Sequence, residues 1–412
     1  MPNHRPKLRP VQPQPAQVRG QPVLVLQDPL QLAERVLLFP AQLAPVLGFL
    51  DGTRDLDEVR ASLMIRAGIR LSTLELQQVV AQLDDALLLE NDRALSAMDA
   101  IVEQYRAAPH RSPSLAGHGY PAAPEELRDM LDSYLQRLPP GPADSDEPVR
   151  GLVSPHIDYQ RGGPVYAQVW SRVADAVRQA ELVVVLGTDH LGAAGGVTLT
   201  RQSYATPYGV LPTDLEIVDA VAAAVGQERA FAHEIHHRQE HSIELAVTWL
   251  HHMRRGQPCA LVPVLAGSFH QFVEDEASAG PSADSTFRRA LEALGASLQG
   301  RPALVVAAAD LAHIGPAFEG RPVDLFGRAQ LRAQDQELMA AMGAGDAERF
   351  YAILRAEGNR RNVCGLPPIY LALRLLQGVN GEITGYDCCP ADQAGTSFVS
   401  ICGMVWRDGA AG

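Results

Sequence analysis

The chain has 412 residues, which exceeds the roughly 250 to 300 residues at which a single core usually stops growing, so two domains are expected. Hydrophobic residues make up 46% and charged residues 20%, a balance typical of a folded globular protein and not of a disordered one. The formal net charge of −13 disfavours nucleic acid as a partner, because phosphate binding requires a basic surface. A small molecule or a protein is the favoured partner.

Cysteine usage and hydropathy predict a protein of the cytoplasm. The five cysteines are odd in number and do not have the spacing of a compact disulfide framework or a zinc ribbon, which fits a reducing compartment. The N-terminal sequence MPNHRPKLRPVQPQPAQ is basic and rich in proline, but it lacks the apolar stretch of a secretory signal. No run approaches the roughly 18 apolar residues of a membrane span, so no membrane association is expected.

The N-terminal quarter is predicted to hold a flexible arm, a small domain and a linker. Residues 1–21 are the expected arm, because they are rich in proline and lack apolar periodicity. Residues 22–92 predict a short strand, a helical pattern broken by prolines in LAERVLLFPAQLAPVLGFL, and two further helices. The last helix begins at Ser72, which stands three residues before Glu75 as in a capping box. Residues 93–112 are the expected linker, since the small-residue stretch AAPHRSPSLAG begins there.

The small domain carries the sequence FLDGTRDLDEVRASL, followed by a helix that ends in ALLLEND. This segment resembles the PqqD-like winged-helix modules, which bind precursor peptides in peptide-modifying systems. The resemblance implies a winged-helix-like domain that binds a peptide or a partner protein. A DNA-binding winged helix is the structural alternative, but residues 21–92 hold 11 acidic residues and five arginines, a net charge of −6 that would repel phosphate. A structural cap on the second domain is the other alternative.

Three apolar runs in the C-terminal part each lead into a polar loop that carries a histidine. The runs and loops are Val149–Val153 before SPHIDY with His156, Leu182–Leu186 before GTDH with His190, and Leu304–Ala309 before DLAH with Asp310 and His313. Such runs are typical of parallel strands covered on both faces, and α/β proteins bind ligands beyond the carboxyl ends of these strands. The three histidines are therefore expected at one sheet edge, although a single histidine in this position is more often a hydrogen-bonded structural residue.

Two imidazoles and one anion would form a metal site with open positions for substrate or water. Cys364 is the candidate anion, because it stands at the predicted start of a helix in NVCGLPPIYLALRLL, where backbone donors lower the pKa of a thiol. A small buried apolar residue is the alternative interpretation, and it suits Cys259 and Cys402 better. No role is predicted for the adjacent Cys388 and Cys389.

A further histidine-rich segment reads HEIHHRQEHSIELAVTWLHH. Glu240, His241 and Glu244 are expected near one another at the start of a helix, from which His241 could reach the pocket. The other histidines of the segment are expected to be exposed to solvent: His236, His237, His251 and His252.

Seven motifs in a fixed order show that residues 113–402 resemble the Memo family, whose bacterial members are called AmmeMemoRadiSam system protein B. The motifs are AGHGYPAAPEELRDML, SPHIDYQRGGPVYAQVW, LGTDHLG, YATPYGVLPTD, EHSIE, AADLAHIG and CGLPPI. The second domain is therefore predicted to span residues 113–412. Memo proteins are similar in fold to class III extradiol dioxygenases, so the resemblance implies a layered α/β/α domain with a mainly parallel central sheet.

The resemblance also implies a site for Fe(II), with copper or zinc as alternative metals. Its ligands would be His156, His190 and Cys364. The candidate catalytic residues occupy the family's DxxH and EHSIE motifs and are Asp310, His313 and His241. The family name further implies a radical-SAM enzyme and an AMMECR-type protein as partners.

Two positions depart from the family pattern. Asp158 stands where the first motif usually has glycine, and Asp189 stands where serine or another small residue often precedes the second histidine. A carboxylate beside a cation would change the charge of the site and its ligand set. A cysteine in place of the dioxygenases' carboxylate argues against ordinary ring cleavage, because a thiolate changes redox potential and metal preference.

Three functional hypotheses follow. The first is an oxidoreductase-like non-heme iron protein in which His313, oriented by Asp310, moves protons on a bound substrate. The second is a non-catalytic binding or scaffold protein that uses the dioxygenase-like pocket to recognise a peptide or a partner. The third is a hydrolase with Cys364 as its nucleophile.

Overall fold

The computed structural model describes residues 5–33, 36–139, 147–192, 195–275 and 277–409. The chain forms two compact units, Met1–Ala107 and Ala108–Gly412, called here the N-terminal unit and the C-terminal unit. No helix in the described ranges is long and apolar enough to cross a lipid bilayer. All five cysteines are free thiols.

The N-terminal unit combines a small antiparallel sheet with four α-helices in its described residues. The strands pair in the order β1 (Gln12–Val18), β2 (Gln21–Gln27) and β3 (Leu37–Pro40). The helices are α1 (Ala44–Phe49), α2 (Leu56–Ser62), α3 (Thr73–Asp85) and α4 (Asp92–Ala107), with a π-helical turn at Leu63–Ala67.

The predicted capping box of α3 is confirmed. The Ser72 Oγ accepts from the Glu75 backbone N–H at 3.2 Å, and the Glu75 carboxylate accepts from the Ser72 N–H at 2.8 Å. The helix buries Leu76, Val79, Val80 and Leu83. Asp55, which precedes α2, and Glu58, in its first turn, form a second capping box.

The predicted flexible arm is wrong for much of its length. Leu8 donates its N–H to the Leu50 carbonyl oxygen at 2.8 Å, and β1 pairs with β2 along its whole length. Prolines are compatible with this strand because β1 lies at the sheet edge, where an outward-facing position loses no ladder hydrogen bond. Residues 37–40, expected in a helix, form β3 because Phe39 is buried and its neighbour Leu38 is exposed, an alternation typical of strands.

The predicted linker is also wrong for most of its residues. Helix α4 occupies Asp92–Ala107, and the Asn91 side chain accepts from the Ala94 N–H at 3.0 Å at the beginning of this helix. A cap of this kind starts a helix regardless of the small residues further along the chain.

The C-terminal unit alternates strands with helices. Its strands are β4 (Val149–Ser154), β5 (Leu182–Thr188), β6 (Val197–Leu199), β7 (Tyr204–Thr206), β8 (Gly209–Leu211), β9 (Ala260–Ala266), β10 (Ala303–Ala308), β11 (His313–Ile314), β12 (Val379–Pro390) and β13 (Phe398–Asp408). Its helices are α5 (Pro124–Gln136), α6 (Tyr159–Arg172), α7 (Ala174–Gln179), α8 (Leu215–Val225), α9 (Gln227–Phe231), α10 (His241–Met253), α11 (His270–Glu274), α12 (Ser285–Leu298), α13 (Leu325–Gly343), α14 (Ala347–Ala356) and α15 (Leu366–Leu376).

The predicted layered α/β/α fold with a mainly parallel sheet is confirmed. Within the described residues, the main sheet has the order β11-β13-β4-β10-β5-β9-β6, with β12 paired to β13. The central strands β4, β10, β5 and β9 are parallel, and the antiparallel strands lie outside them. Alternate residues of β5 enter two different cores, Leu182 and Val184 on one face and Val183 and Val185 on the other. Both faces of the sheet are therefore covered.

The carboxyl ends of three central strands lie side by side. Ala308 of β10 pairs with Ser154 of β4 on one side and with Gly187 of β5 on the other. The loops that follow these strands carry His156, Asp310 and His190, so the register brings them to one edge of the sheet.

A buried ion pair holds residues 111–120, which precede α5, against α10. The side chains of Arg111 and Glu244 are both fully buried and hydrogen-bonded to each other. Arg111 also donates to the carbonyl oxygens of His237 and Glu240, at 2.8 and 2.9 Å. Glu244 accepts from Ser114, from the Leu115 N–H at 2.8 Å and from the Tyr120 hydroxyl at 2.6 Å.

We expect Arg111→Met to lower the free energy of unfolding by about 3 kcal/mol, because it leaves the Glu244 carboxylate buried without its counter-charge. This loss lies at the low end of the range expected when one partner of a buried ion pair is removed, because Glu244 keeps its other hydrogen-bond donors. Chemical denaturation measures the change. Arg150→Met is the matched control, since Arg150 and Asp408 form a half-exposed pair and its loss should cost less than about 1 kcal/mol. Equal losses in both variants would contradict the role of the buried pair.

Candidate metal centre

Three histidines meet at the carboxyl edge of the sheet. His156 follows β4, His190 follows β5, and His241 is the first residue of α10. Each offers a ring nitrogen, and these atoms lie within 4.8 Å of one another. The ring centroids are 5.1 Å apart for His156 and His190, and 4.9 Å apart for His190 and His241. This spacing allows one ion to contact all three rings.

Hydrogen bonds at Nδ1 determine which nitrogen each ring offers. The His156 Nδ1 lies 3.0 Å from the Ala308 carbonyl oxygen, which can only accept. The His190 Nδ1 lies 3.0 Å from a carboxylate oxygen of Glu240, and the His241 Nδ1 lies 3.3 Å from the other oxygen. His156 and His190 therefore carry hydrogen at Nδ1 and leave Nε2 for an ion, the arrangement common among ligand histidines, and the His241 Nδ1 also faces the Glu240 carboxylate.

Cys364 adds a thiol to this group, as predicted. Its Sγ lies 3.2 Å from the His156 Nε2. Burial raises the pKa of the Cys364 thiol, but the positive charge on His156, with a smaller contribution from His313, outweighs burial and lowers this pKa to about 5. The thiolate is the form that binds metal ions.

The backbone around Cys364 fits closely against the loop after β10. The Gly365 N–H donates to the Asp310 carbonyl oxygen at 3.1 Å, and a Cβ at Gly365 would lie 2.3 Å from that oxygen. The Thr188 hydroxyl donates to the Cys364 carbonyl oxygen at 3.0 Å. Only glycine is compatible with this approach, which is the structural reason for the Cys-Gly pair.

The charges around the site give the three histidines different pKa values. Burial opposes protonation of His156, but Asp310 and Cys364 outweigh it and raise the pKa of His156 to about 9. Burial likewise opposes protonation of His190, and Glu240 reverses the effect, so the pKa of His190 is well above its usual value. For His241 burial dominates and lowers the pKa to about 4. Two protonated rings thus lie among the negative charges of Asp310, Glu240 and Cys364 at neutral pH.

The predicted contact of Asp310 with His313 is wrong. Asp310 accepts from the His156 N–H at 2.8 Å, because β10 and β4 end in register and bring this carboxylate to the neighbouring loop. The His313 Nδ1 instead lies 3.2 Å from the Asn362 carbonyl oxygen. His313 begins β11, and its ring contacts Phe318 edge to face at 5.1 Å. His313 is half-buried, near Cys364 but held by a different partner.

The two carboxylates that depart from the family pattern are engaged by other groups. Asp158 caps α6 by accepting from the Arg161 N–H at 3.0 Å, and it also pairs with the Arg161 guanidinium at 2.6 Å. Asp189 accepts from the His236 Nδ1 at 2.9 Å. Neither contact involves a candidate ligand. His156, His190 and Cys364 therefore remain the candidate ligands, and His241, predicted as a catalytic residue, lies beside them as a further candidate donor.

The prediction that the other histidines of this segment are exposed is wrong. His237 and His251 are buried, with their Nδ1 atoms 2.6 Å from the Tyr204 hydroxyl oxygen and 2.7 Å from the Thr206 hydroxyl oxygen. His236 is buried beside Asp189. One sequence signal could have indicated this, since the stretch IELAVTWL is apolar on nearly all sides and such helices are buried all round.

Comparisons with known proteins agree with this architecture. Residues 111–405 match the family model described as Memo-like protein. A MEMO1 family protein of Aquifex aeolicus (strain VF5) is 25% identical over 394 residues, which cover 93% of this chain and 95% of the relative. A MEMO1 family protein of Archaeoglobus fulgidus is 29% identical over 300 residues, which cover 72% of this chain and 99% of the relative.

The family match covers the loops and helices that carry every candidate ligand, from His156 to Cys364. The Aquifex relative also aligns with part of the N-terminal unit, because 93% of the chain exceeds the length of the C-terminal unit alone. With its seven motifs and its layered α/β/α domain, the chain belongs to the Memo family.

Proposed function

We propose that this protein is a non-heme iron-binding, oxidoreductase-like member of its family. The observation that carries the proposal is the convergence of three imidazole Nε2 atoms and one thiol of low pKa at the carboxyl edge of a parallel sheet. Two donors alone would be weak support for a metal site. Four donors that come from four separate segments of the chain are stronger support.

The donor set fits a divalent ion. His156, His190 and Cys364 would be the ligands, with His241 as a further nitrogen donor on the same side as His190. Imidazole suits iron, copper and zinc, and a thiolate favours the softer ions, so copper and zinc are the competing metals. When bound, Fe(II) would supply one-electron redox chemistry and Lewis acidity.

The remaining residues would bind substrate and move protons. His313 is half-buried, and its Nδ1 faces the Asn362 carbonyl oxygen, so its Nε2 is the atom that could exchange a proton with a substrate. Asp310 would act on His156 rather than on His313, because it contacts the His156 backbone and lies 3.8 Å from the His156 Nε2. We also propose that the protein acts in the cytoplasm with a radical-SAM enzyme and an AMMECR-type protein. Family membership alone supports this part of the proposal.

A binding or scaffold protein is the second candidate function, and an observation on the N-terminal unit favours it. One edge of its sheet, β1, contains Pro13 and Pro15, which cannot donate hydrogen bonds to a further strand. The other edge, β3, has proline only at its last residue, and the Leu38 side chain is 50% exposed. An extended peptide could add to this edge.

We expect the protein purified without oxygen to bind about one Fe(II) per chain, as two-histidine-one-anion sites do. His156→Ala and Cys364→Ser should each weaken binding sharply, because each removes one donor. His313→Ala is the matched control and should keep its iron. Anaerobic titration with metal analysis measures all four proteins.

Unchanged iron affinity in both His156→Ala and Cys364→Ser would contradict the ligand assignment. Loss of iron in His313→Ala, with retention in His190→Ala, would mean that ligand and proton donor are exchanged. If the wild-type protein binds none of iron, copper and zinc, the binding or scaffold function is favoured.

Metal binding should release protons. Below its raised pKa of about 9, His156 is an imidazolium that cannot ligate, and the same holds for His190, whereas Cys364 is already ionised at pH 7. Binding at pH 7 should therefore release about two protons, and affinity should rise with pH and level off once both rings are deprotonated. Calorimetry in two buffers of different ionisation enthalpy counts these protons. Binding at pH 7 without proton release would contradict the charges described above.

A further inference from the structure

The carboxylate of Glu240 contacts two candidate ligand histidines at once. Its two oxygens lie 3.1 and 3.0 Å from the His190 Nδ1, and one of them lies 3.3 Å from the His241 Nδ1. The Glu240 side chain is almost fully buried, with 4% of its surface exposed. This buried carboxylate therefore faces the Nδ1 atoms of both rings, with hydrogen bonds to His190 and an ion-pair contact to His241.

The same carboxylate is anchored by the backbone. One oxygen accepts from the N–H groups of His241 and Ser242, at 2.8 and 2.9 Å, and so caps α10. The other accepts from the His190 N–H at 3.1 Å. With three backbone donors, Glu240 has little freedom to turn away from the two rings.

The residue type at this cap is unusual for this protein. Eight other helices in the described residues have an N-cap side chain that accepts from the helix backbone, and all of these caps are shorter: Asp55, Ser72, Asn91, Asp158, Asp214, Asp284, Asp324 and Asp346. Short polar residues are the preferred caps, and aspartate would suffice for α10. The additional methylene of Glu240 is what lets its carboxylate span from the helix end to His190.

We propose that Glu240 is a positioning residue of the metal centre, which holds the Nδ1–H groups of His190 and His241 so that both rings present Nε2 to the ion. The inference rests on the proposed metal-binding function. A carboxylate behind a ligand histidine fixes its tautomer and raises its basicity, and removal of such a partner typically weakens metal binding. Here a single carboxylate serves two rings on two different segments.

Two variants separate positioning from capping. E240D keeps the charge and provides a good cap, but its shorter side chain withdraws from His190. E240Q keeps the length, but its amide replaces one of the two acceptor oxygens by an NH2 group, which must then face either the N–H groups of α10 or those of His190. Both variants should bind Co(II) roughly 10- to 100-fold more weakly than the wild-type protein. The absorption bands of bound Co(II) should also shift, since they report ligand geometry.

D284N is the matched control. Asp284 caps α12 through the N–H groups of Thr286 and Phe287, at 2.7 and 3.2 Å, and contacts no candidate ligand. D284N should bind Co(II) as the wild-type protein does, with unchanged bands. Thermal denaturation of the metal-free proteins measures any loss of stability. The comparison can be made as long as one of the two Glu240 variants folds.

Wild-type affinity and wild-type bands in E240D would overturn the inference, because Glu240 would then only cap the helix. An equal loss of affinity in D284N would overturn it as well, because affinity would then follow the charge of any helix cap and not the contact with the ligand histidines. Failure of the wild-type protein itself to bind Co(II), Fe(II) or Zn(II) would instead reject the proposed function, and the inference with it.

Discussion

The register of three parallel strands is the constraint on which the rest of the site depends. Strand β10 pairs with β4 and β5 so that Ala308, Ser154 and Gly187 lie side by side at the carboxyl ends. Each following loop then starts from the same edge, which brings His156 and His190 close together, and long-range hydrogen bonds to Ala308 and Glu240 then hold the two rings. A shift of one residue in this pairing would turn the buried side chains of a strand to its other face. The two covering cores therefore hold the site in place as well as the fold.

Charge balance is the second condition on the site. The candidate centre gathers the buried carboxylate of Glu240 and the thiolate of Cys364 among three imidazoles, of which that of His156 is buried. Burial of charges is costly unless each has a partner of opposite sign. Without an ion, protons on His156 and His190 supply the positive charge. A divalent cation can replace these protons with little net change in charge, which is a physical reason for a proton-linked metal site here.

Much of the C-terminal unit was predictable from local patterns, and the rest depended on contacts distant in sequence. The apolar runs before His156 and His190 identified their strands, and the parallel arrangement followed from the lack of alternation. The partner of His313 could not be inferred, because Asn362 is 49 residues away and contributes a backbone carbonyl that any residue type would offer. Prolines before residue 20 suggested an arm, whereas an edge strand accepts them equally well. The role of Glu240 was hidden because a carboxylate at a helix start is ordinary until its second contact is known.

X-ray absorption at the iron edge of the anaerobically loaded protein identifies the atoms bound to the ion. We expect one sulfur and at least two imidazole nitrogens bound to the iron, and loss of the sulfur in Cys364→Ser. A wild-type spectrum with oxygen ligands alone, or a sulfur signal that persists in Cys364→Ser, would contradict a metal centre built from His156, His190 and Cys364.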